Sequence, residues 1–217
     1  MNPSLRLTED YISRRLKETY QPGVFASNDG NVEMFPGEQL KCAAVLLPLA
    51  WWEDEWHLVF TRRTETVETH KGQVSFPGGG CDEDESIPEQ TALREAEEEI
   101  GLKPGDVHLL GRLNEVVTIT RYRVTPVAGV MPWPYPVSPE RAEVERVFTI
   151  PLLWLADSDH WNEASVTPVR NMPPFRMITY NQYDGETLWG VSAKITHNFL
   201  AVLGVLDKKG KTDLQHE

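Results

Sequence analysis

The sequence predicts an α+β protein, a mixed sheet system covered by helices. Three observations predict it. Strand-like apolar runs recur along most of the 217 residues. Three other segments carry apolar residues at helical spacing. The strand-like segments outnumber the helical ones, the mix of one sheet system covered by a few helices.

Residues 5–19 read as a short surface helix, with Leu5, Leu7, Tyr11, Ile12 and Leu16 at roughly helical spacing. Residues 21–38, rich in Gly, Pro and Asn, read as a loop. Residues 42–52 and 55–63 read as two strands joined by a hairpin turn at the charged run 53–55. Residues 64–85 read as a long connection that ends in Phe76-Pro77-Gly78-Gly79-Gly80. A helix is predicted from about Ile87 to Ile100, then strands at 107–116 and 123–131 and a Pro-rich loop at 132–140. Residues 146–157 read as a strand followed by a helical turn. Residues 175–181 and 186–191 read as a strand pair around Asp184-Gly185, a strong hairpin signal. Residues 192–206 form an amphipathic helix with Ile195, Phe199, Leu200, Leu203 and Leu206 on one side. The length suits one substantial domain with additions. These are an N-terminal helix and loop over 1–37, a main domain over 38–206 and a polar tail over 207–217.

Hydrophobic residues make up 40% and charged residues 25%, an ordinary globular mix. No apolar run approaches the ~18 residues of a membrane span, and the N-terminus has no apolar core of signal-peptide length. A cytoplasmic location without membrane contact is therefore expected. Cys42 and Cys81 form no disulfide framework and no metal-ligand spacing, so reduced thiols are expected. The net charge of −12 argues against a nucleic-acid partner, which would call for a basic face. An acidic protein that handles phosphates needs cations between the two, because acids collect metal ions and metal ions collect phosphates.

The predicted helix ending at Ile100 is the most informative segment. Ser86 at the N-cap, Pro88 in the first turn and Glu89 at N3 give a start signal, and Gly101 gives a stop. Ala92, Leu93, Ala96 and Ile100 form an apolar stripe, while Glu95, Glu98 and Glu99 fall on a different face. Arg94 lies four residues before Glu98 and can hold its carboxylate. Glu97, Glu98 and Glu99 occupy the last turn, where the helix dipole disfavours acids. Glu is a good helix former, and a solvated acidic face is the plain alternative. Three carboxylates on one face also suit a hard cation such as Mg²⁺, although the triple alone favours the solvated face and its neighbours must tip the balance.

Arg94-Glu95-Ala96-Glu97-Glu98-Glu99-Ile100-Gly101-Leu102 resembles the REUxEExGU half of the Nudix box at every fixed position. Upstream, Gly79 and Glu85 fit the first spacing of the box, but eight residues rather than seven separate Glu85 from Arg94. Strict counting would put Ser86 and Gly80 at those positions instead. Glu85 is read as the shifted counterpart. The resemblance implies a Nudix-type α/β/α sandwich with a mixed β-sheet and helical additions at both ends. It also implies hydrolysis of a diphosphate linkage with Mg²⁺ or Mn²⁺. Glu95, Glu98 and Glu99, with the Gly78 carbonyl, are the implied metal ligands. Glu95 and Glu98 are both candidates for the general base, and Arg94 would orient a glutamate.

Thr61-Arg62-Arg63-Thr64, followed by the run His70-Lys71-Gly72-Gln73-Val74-Ser75-Phe76-Pro77-Gly78-Gly79, is similar to the coenzyme A diphosphatase branch of the family. So is the pattern Tyr180, Gly185 and Leu188-Trp189-Gly190-Val191-Ser192-Ala193 entering the last helix. That branch implies a small-molecule nucleotide partner, coenzyme A or an acyl form of it, cut to adenosine 3′,5′-bisphosphate and phosphopantetheine. Arg63, His70, Lys71 and Gly79 are the implied substrate contacts. Arg63 equally suits a strand-end surface position, and His70 a loop with a backbone partner. Phe76-Pro77 suits a packing anchor at least as well as a substrate contact. Met131 to Ser138 resembles a Pro-rich run of NADH diphosphatases, but it lies some thirty residues too far from the box and no four-cysteine zinc site accompanies it. An ADP-ribose or NADH diphosphatase and a nucleotide-binding module without turnover are the alternatives. A homodimer is compatible with the sequence.

Overall fold

The computed structural model describes residues 7–26, 35, 37–64, 72–167 and 175–207. Strands form where apolar runs are longest. Leu46, Leu47 and Leu49 are fully buried in β1 (Lys41–Trp52), as are Leu58, Val59 and Phe60 in β2 (Glu55–Arg63). Glu53 and Asp54 turn the chain between them at φ 51° and 65°, the left-handed twist that a tight hairpin needs.

β1 and β2 pair only near the turn, with Leu49 to Trp52 opposite Leu58 to Glu55. Beyond that they part, and the segment expected as a plain connection fills the fork. β3 (Val74–Ser75) pairs with Thr61 and Arg62, and β4 (Gly78–Gly80) pairs with Ala43, Ala44 and Val45. Between them the Leu46 N–H donates to the Pro77 carbonyl at 2.9 Å. Phe76 is buried and stacks on Phe60 with ring centroids 4.7 Å apart, so it anchors packing. The expectation of a strandless 64–85 is thus corrected. The exposed edges of a splayed strand pair need partners, and a glycine-rich run can supply them without strand propensity of its own.

The sheet is mixed. β1 runs parallel to β7 (Tyr122–Val130), which pairs antiparallel with β5 (His108–Arg112) and β6 (Val116–Val117). The single strand expected at 107–116 is therefore two pieces. β2 pairs antiparallel with β8 (Val144–Pro151). On one face lies α2 (Pro88–Ile100), which buries Ala92, Ala96 and Ile100 against Ala44, Leu46 and Val127. On the other face α1 (Glu9–Thr19), α3 (Leu152–Ala156) and α4 (Gly190–Leu203) share a core with Leu47, Leu58 and Phe60. The result is the α/β/α sandwich with helical additions at both ends. α1 and α4 hold one another: the Tyr11 hydroxyl donates to the Leu203 carbonyl and Arg15 Nε to the Val202 carbonyl, both at 3.0 Å.

Two further expectations are corrected. β10 (Phe175–Tyr180) pairs with β9 (Trp161–Val166) and not mainly with residues 186–191. The Asp184-Gly185 turn forms, but its flanks make only the bridges Tyr183 to Glu186 and Thr179 to Trp189. β9 carries Asn162, Glu163, Ala164 and Ser165 exposed, so it shows no apolar alternation to read. Secondly, Cys42 and Cys81 are joined by a disulfide, with Cα atoms 5.4 Å apart, rather than being reduced thiols. The β1–β4 ladder sets them opposite one another, and the Cys81 N–H donates to the Cys42 carbonyl at 3.2 Å. Pairing across 39 residues is a property of the sheet that no spacing rule for cysteines reveals. Among the described residues no helix is long and apolar enough to cross a membrane. Of the polar tail, residues 208–217 lie outside the described residues.

Candidate active site

α2 begins one residue later than the capping signals suggest. Ile87, which has no side-chain acceptor, is the N-cap, and Gln90 Oε1 accepts from the backbone N–H groups of Ser86 and Ile87 at 2.8 and 3.2 Å. Gln90 thereby does what Glu89 was expected to do. Glu89 is free to bind Arg112 of β5 through two hydrogen bonds of 2.6 Å, which pins the start of α2 to the sheet. At the other end Gly101 takes a left-handed φ of 72°. The Pro-rich loop closes that end: Ser138 N–H donates to the Ile100 carbonyl and Glu140 N–H to the Glu99 carbonyl, each at 2.9 Å. The terminal carbonyls of an acid-rich helix end are so satisfied by backbone donors.

Arg94 is the hub of the acid face. Its Nε meets Glu85 Oε1 at 2.9 Å, Nη1 meets Glu95 Oε1 at 2.9 Å and Glu98 Oε2 at 3.2 Å, and Nη2 reaches the Gly80 carbonyl at 3.0 Å. Glu85 also accepts from the buried Thr91 hydroxyl at 2.6 Å and from Asp82 N–H at 2.8 Å. The Arg94 hydrogen bonds hold its carboxyl down to about 2. The extra residue in the box is absorbed by the turn from Asp82 to Glu85, so Glu85 reaches Arg94 in spite of it. Ser86 serves only the helix start.

The three candidate ligand carboxylates differ sharply. The Glu98 side chain is 60% exposed, Glu95 17% and Glu99 only 8%. Burial pushes the Glu99 carboxyl up to about 8, with Arg63 opposing and Glu95 and Glu143 adding to the rise. Burial also raises Glu95, and Arg94 opposes it. Arg63 Nη1 lies 3.9 Å from Glu99 Oε1. Among the described residues no three His, Cys, Asp or Glu side chains are gathered into a ready cation cage. Glu95 and Glu98 are turned onto Arg94 instead, and Glu99 faces Arg63. The donor set nonetheless fits a hard cation, because buried carboxylates gain from a compact charge that accepts oxygen ligands.

The glycine run opposite is shaped by these side chains. A Cβ on Gly79 would come within 2.3 Å of Glu95 Oε1, and one on Gly78 within 2.5 Å of the Ala44 carbonyl. Gly78 also makes a backbone hydrogen bond to Glu99. The structure therefore brings together Arg63, Gly78, Gly79, Glu85, Arg94, Glu95, Glu98 and Glu99. His70 and Lys71 lie outside the described residues. Sequence reasoning missed Glu143, Thr91 and the Gly80 carbonyl. Glu143 sits in an acid-rich stretch after the Pro-rich loop with no spacing that ties it to the box, and Thr91 looks like any helix residue.

A family model described as "NUDIX domain" matches residues 41–174. A Yersinia enterocolitica protein named "Uncharacterized Nudix hydrolase NudL" is 32% identical over 197 residues, covering 90% of this chain and 92% of its own length. A protein of the same name from Escherichia coli is 34% identical over 163 residues, covering 75% of this chain and 83% of its own. Among solved structures, the Nudix hydrolase RenU of M. smegmatis aligns with a TM-score of 0.46 and 24% identity over 63% of this chain and 84% of that one. Sandwich, acid-faced helix and relatives agree on one class of protein, a hydrolase. The chain belongs to the Nudix family.

Proposed function

We propose that this Nudix hydrolase cleaves the diphosphate linkage of a nucleoside diphosphate derivative, and that coenzyme A or an acyl-coenzyme A is its substrate. The observation that supports this reading most is the joining of two sequence features in one place. The run through Phe76-Pro77-Gly78-Gly79, which resembles the coenzyme A branch, fills the fork beside Arg63 and lies against Glu95 and Glu99 of the box.

Glu95, Glu98 and Glu99, with the Gly78 carbonyl, would hold Mg²⁺ or Mn²⁺. When bound, the cation neutralises charge on the diphosphate and makes water a stronger nucleophile near neutral pH. Arg94 fixes the Glu95 and Glu98 carboxylates through Nη1. Arg63, half-buried beside the acid face, offers a planar fork to a phosphate. Water adds to one phosphorus, the anhydride P–O bond breaks, and the water proton passes to Glu95 or Glu98. The products are adenosine 3′,5′-bisphosphate and phosphopantetheine. Glu85, tied to Arg94 and Thr91, positions the arginine and stands outside the metal set.

Mass spectrometry of coenzyme A incubated with the protein and Mg²⁺ or Mn²⁺ in ¹⁸O-labelled water tests the reading. The expected result is the two products with label on one of them, and loss of turnover by about a hundredfold or more in Glu98→Gln. Turnover of ADP-ribose or NADH with none of coenzyme A would move the substrate. Full metal-dependent turnover by Glu98→Gln would remove the metal assignment.

A further inference from the structure

The end of the Pro-rich loop delivers a fourth carboxylate to the acid face. Glu140 N–H is bound to the Glu99 carbonyl, and the Glu140 carbonyl accepts from Glu143 and Val144 at 2.9 and 2.8 Å. Thr64 N–H then donates to the Glu143 carbonyl at 2.9 Å, and the Thr64 hydroxyl to the Ala142 carbonyl at 3.0 Å. This short turn is therefore fixed both to the end of α2 and to the end of β2.

The β2–β8 ladder shifts register at this point. Arg62 pairs with Arg146 but Arg63 pairs with Val144, so Glu145 is skipped. Such a bulge re-aims the side chains beside it. Val144 is buried with the α2 core, and Glu145 faces Arg62 at 3.5 Å. Glu143 faces Arg63, with Oε2 3.7 Å from Nη2. Arg63 thus lies between two carboxylates, Nη1 3.9 Å from Glu99 and Nη2 3.7 Å from Glu143, both ion pairs longer than a hydrogen bond, while its buried Nε has no hydrogen-bond partner.

We infer that Glu143 is a positioning residue that holds the Arg63 guanidinium over the acid face in the orientation in which it grips a substrate phosphate. This rests on the reading of Arg63 as a phosphate contact. An arginine attracted to one carboxylate can swing about that contact, whereas attraction at both terminal nitrogens narrows the swing of its plane, and a bidentate grip on phosphate gains from a plane already aligned. Simple charge logic predicts the opposite effect: deleting a carboxylate next to an anion site should tighten anion binding.

Calorimetric titration of ADP in the presence of Mg²⁺ separates the two, using wild type, Glu143→Gln, Arg63→Ala and the double variant. ADP carries a diphosphate and needs no turnover. Glu143→Gln is expected to weaken ADP binding about three- to tenfold, and to weaken it no further when Arg63 is already Ala. Coenzyme A kinetics should show the same rise in KM with kcat within about twofold. Equal or tighter ADP binding by Glu143→Gln overturns the inference. So does an additive loss in the double variant, which would mark a structural defect, and so does a collapse of kcat at unchanged KM, which would make Glu143 a group acting on the reacting atoms. Wild-type ADP affinity in Arg63→Ala would instead overturn the phosphate-contact reading of Arg63, and failure of the wild type to bind ADP would overturn both.

Discussion

Arg94 Nε meets Glu85 Oε1 at 2.9 Å, and the same guanidinium turns its other two nitrogens to Glu95, Glu98 and the Gly80 carbonyl. One arginine therefore ties the turn before α2, the acid face of α2 and the glycine strand beside it.

Glu85→Gln should loosen all three at once. Loss of a carboxylate that orients a residue holding active-site ligands typically costs about 10–100-fold in activity or metal affinity, and a fall of that order is expected here. The pH dependence has a definite sign. A carboxyl held down to about 2 when folded and near 4.5 when unfolded gives stability that is complete above pH 4.5. That stability is lost as pH falls from 4.5 through about 2. The gap in thermal midpoint between wild type and Glu85→Gln should narrow over that interval, and a gap independent of pH would contradict the pairing.

Gly79→Ala places a methyl 2.3 Å from a Glu95 oxygen, so the carboxylate must leave its seat beside Arg94. Activity should fall by an order of magnitude or more through misplacement of that group. Far less stability should be lost than with Gly78→Ala, whose methyl would strike β1 backbone at 2.5 and 2.6 Å. Steady-state kinetics and thermal melts on the two variants read this contrast directly.

The Cys42–Cys81 bridge closes a loop across 39 residues, and chain entropy sets its contribution at up to about 4 kcal/mol. Reductant should lower the thermal midpoint of the wild type by several degrees. Cys42→Ser, Cys81→Ser and the double variant should all melt together and ignore reductant. Mass spectrometry under non-reducing conditions that found two free thiols would remove the bridge.

His57 lies buried against Thr149, with Nδ1 3.1 Å from the hydroxyl, and burial lowers its pKa although Glu55 and Glu53 oppose this. A base whose folded pKa is depressed is protonated first in the unfolded chain. Stability is therefore full above about 6.5 and falls as pH drops through that value. His197, lowered by burial and by Arg176, adds in the same direction. Glu99, pushed up by burial to about 8, acts in the opposite sense over the same range but equally in wild type and His57→Gln. The gap in thermal midpoint between the two proteins should therefore shrink as pH falls from 8 to 5, and a gap independent of pH would contradict this role of His57.

Much of this was legible in the chain. Ala92, Ala96 and Ile100 turned out buried as their spacing indicated, and Gly101 stops α2 as its type indicated. Arg94 reaches Glu98 as the four-residue interval allows. Such features are local, since helix geometry fixes which residues share a face. The readings that failed were those made by distant pairing. Val74 and Ser75 are strand only because β1 and β2 part and leave Thr61 and Arg62 unpaired on that side. β9 is strand only because β10 lies against it.

The sequence by itself determined the acid helix, the glycine entry, the hairpin and, through them, the family. It also set Glu95, Glu98 and Glu99 at one end of one helix. The tertiary structure alone decided how they differ: Glu98 in solvent, Glu95 on Arg94, and Glu99 buried beside Arg63. It alone joined Cys42 to Cys81 and brought Glu143 to the second arm of Arg63. The reason is physical. Periodicity assigns a side chain to a face, but its burial, its charge partner and its cross-strand neighbour depend on chain that arrives from dozens of residues away.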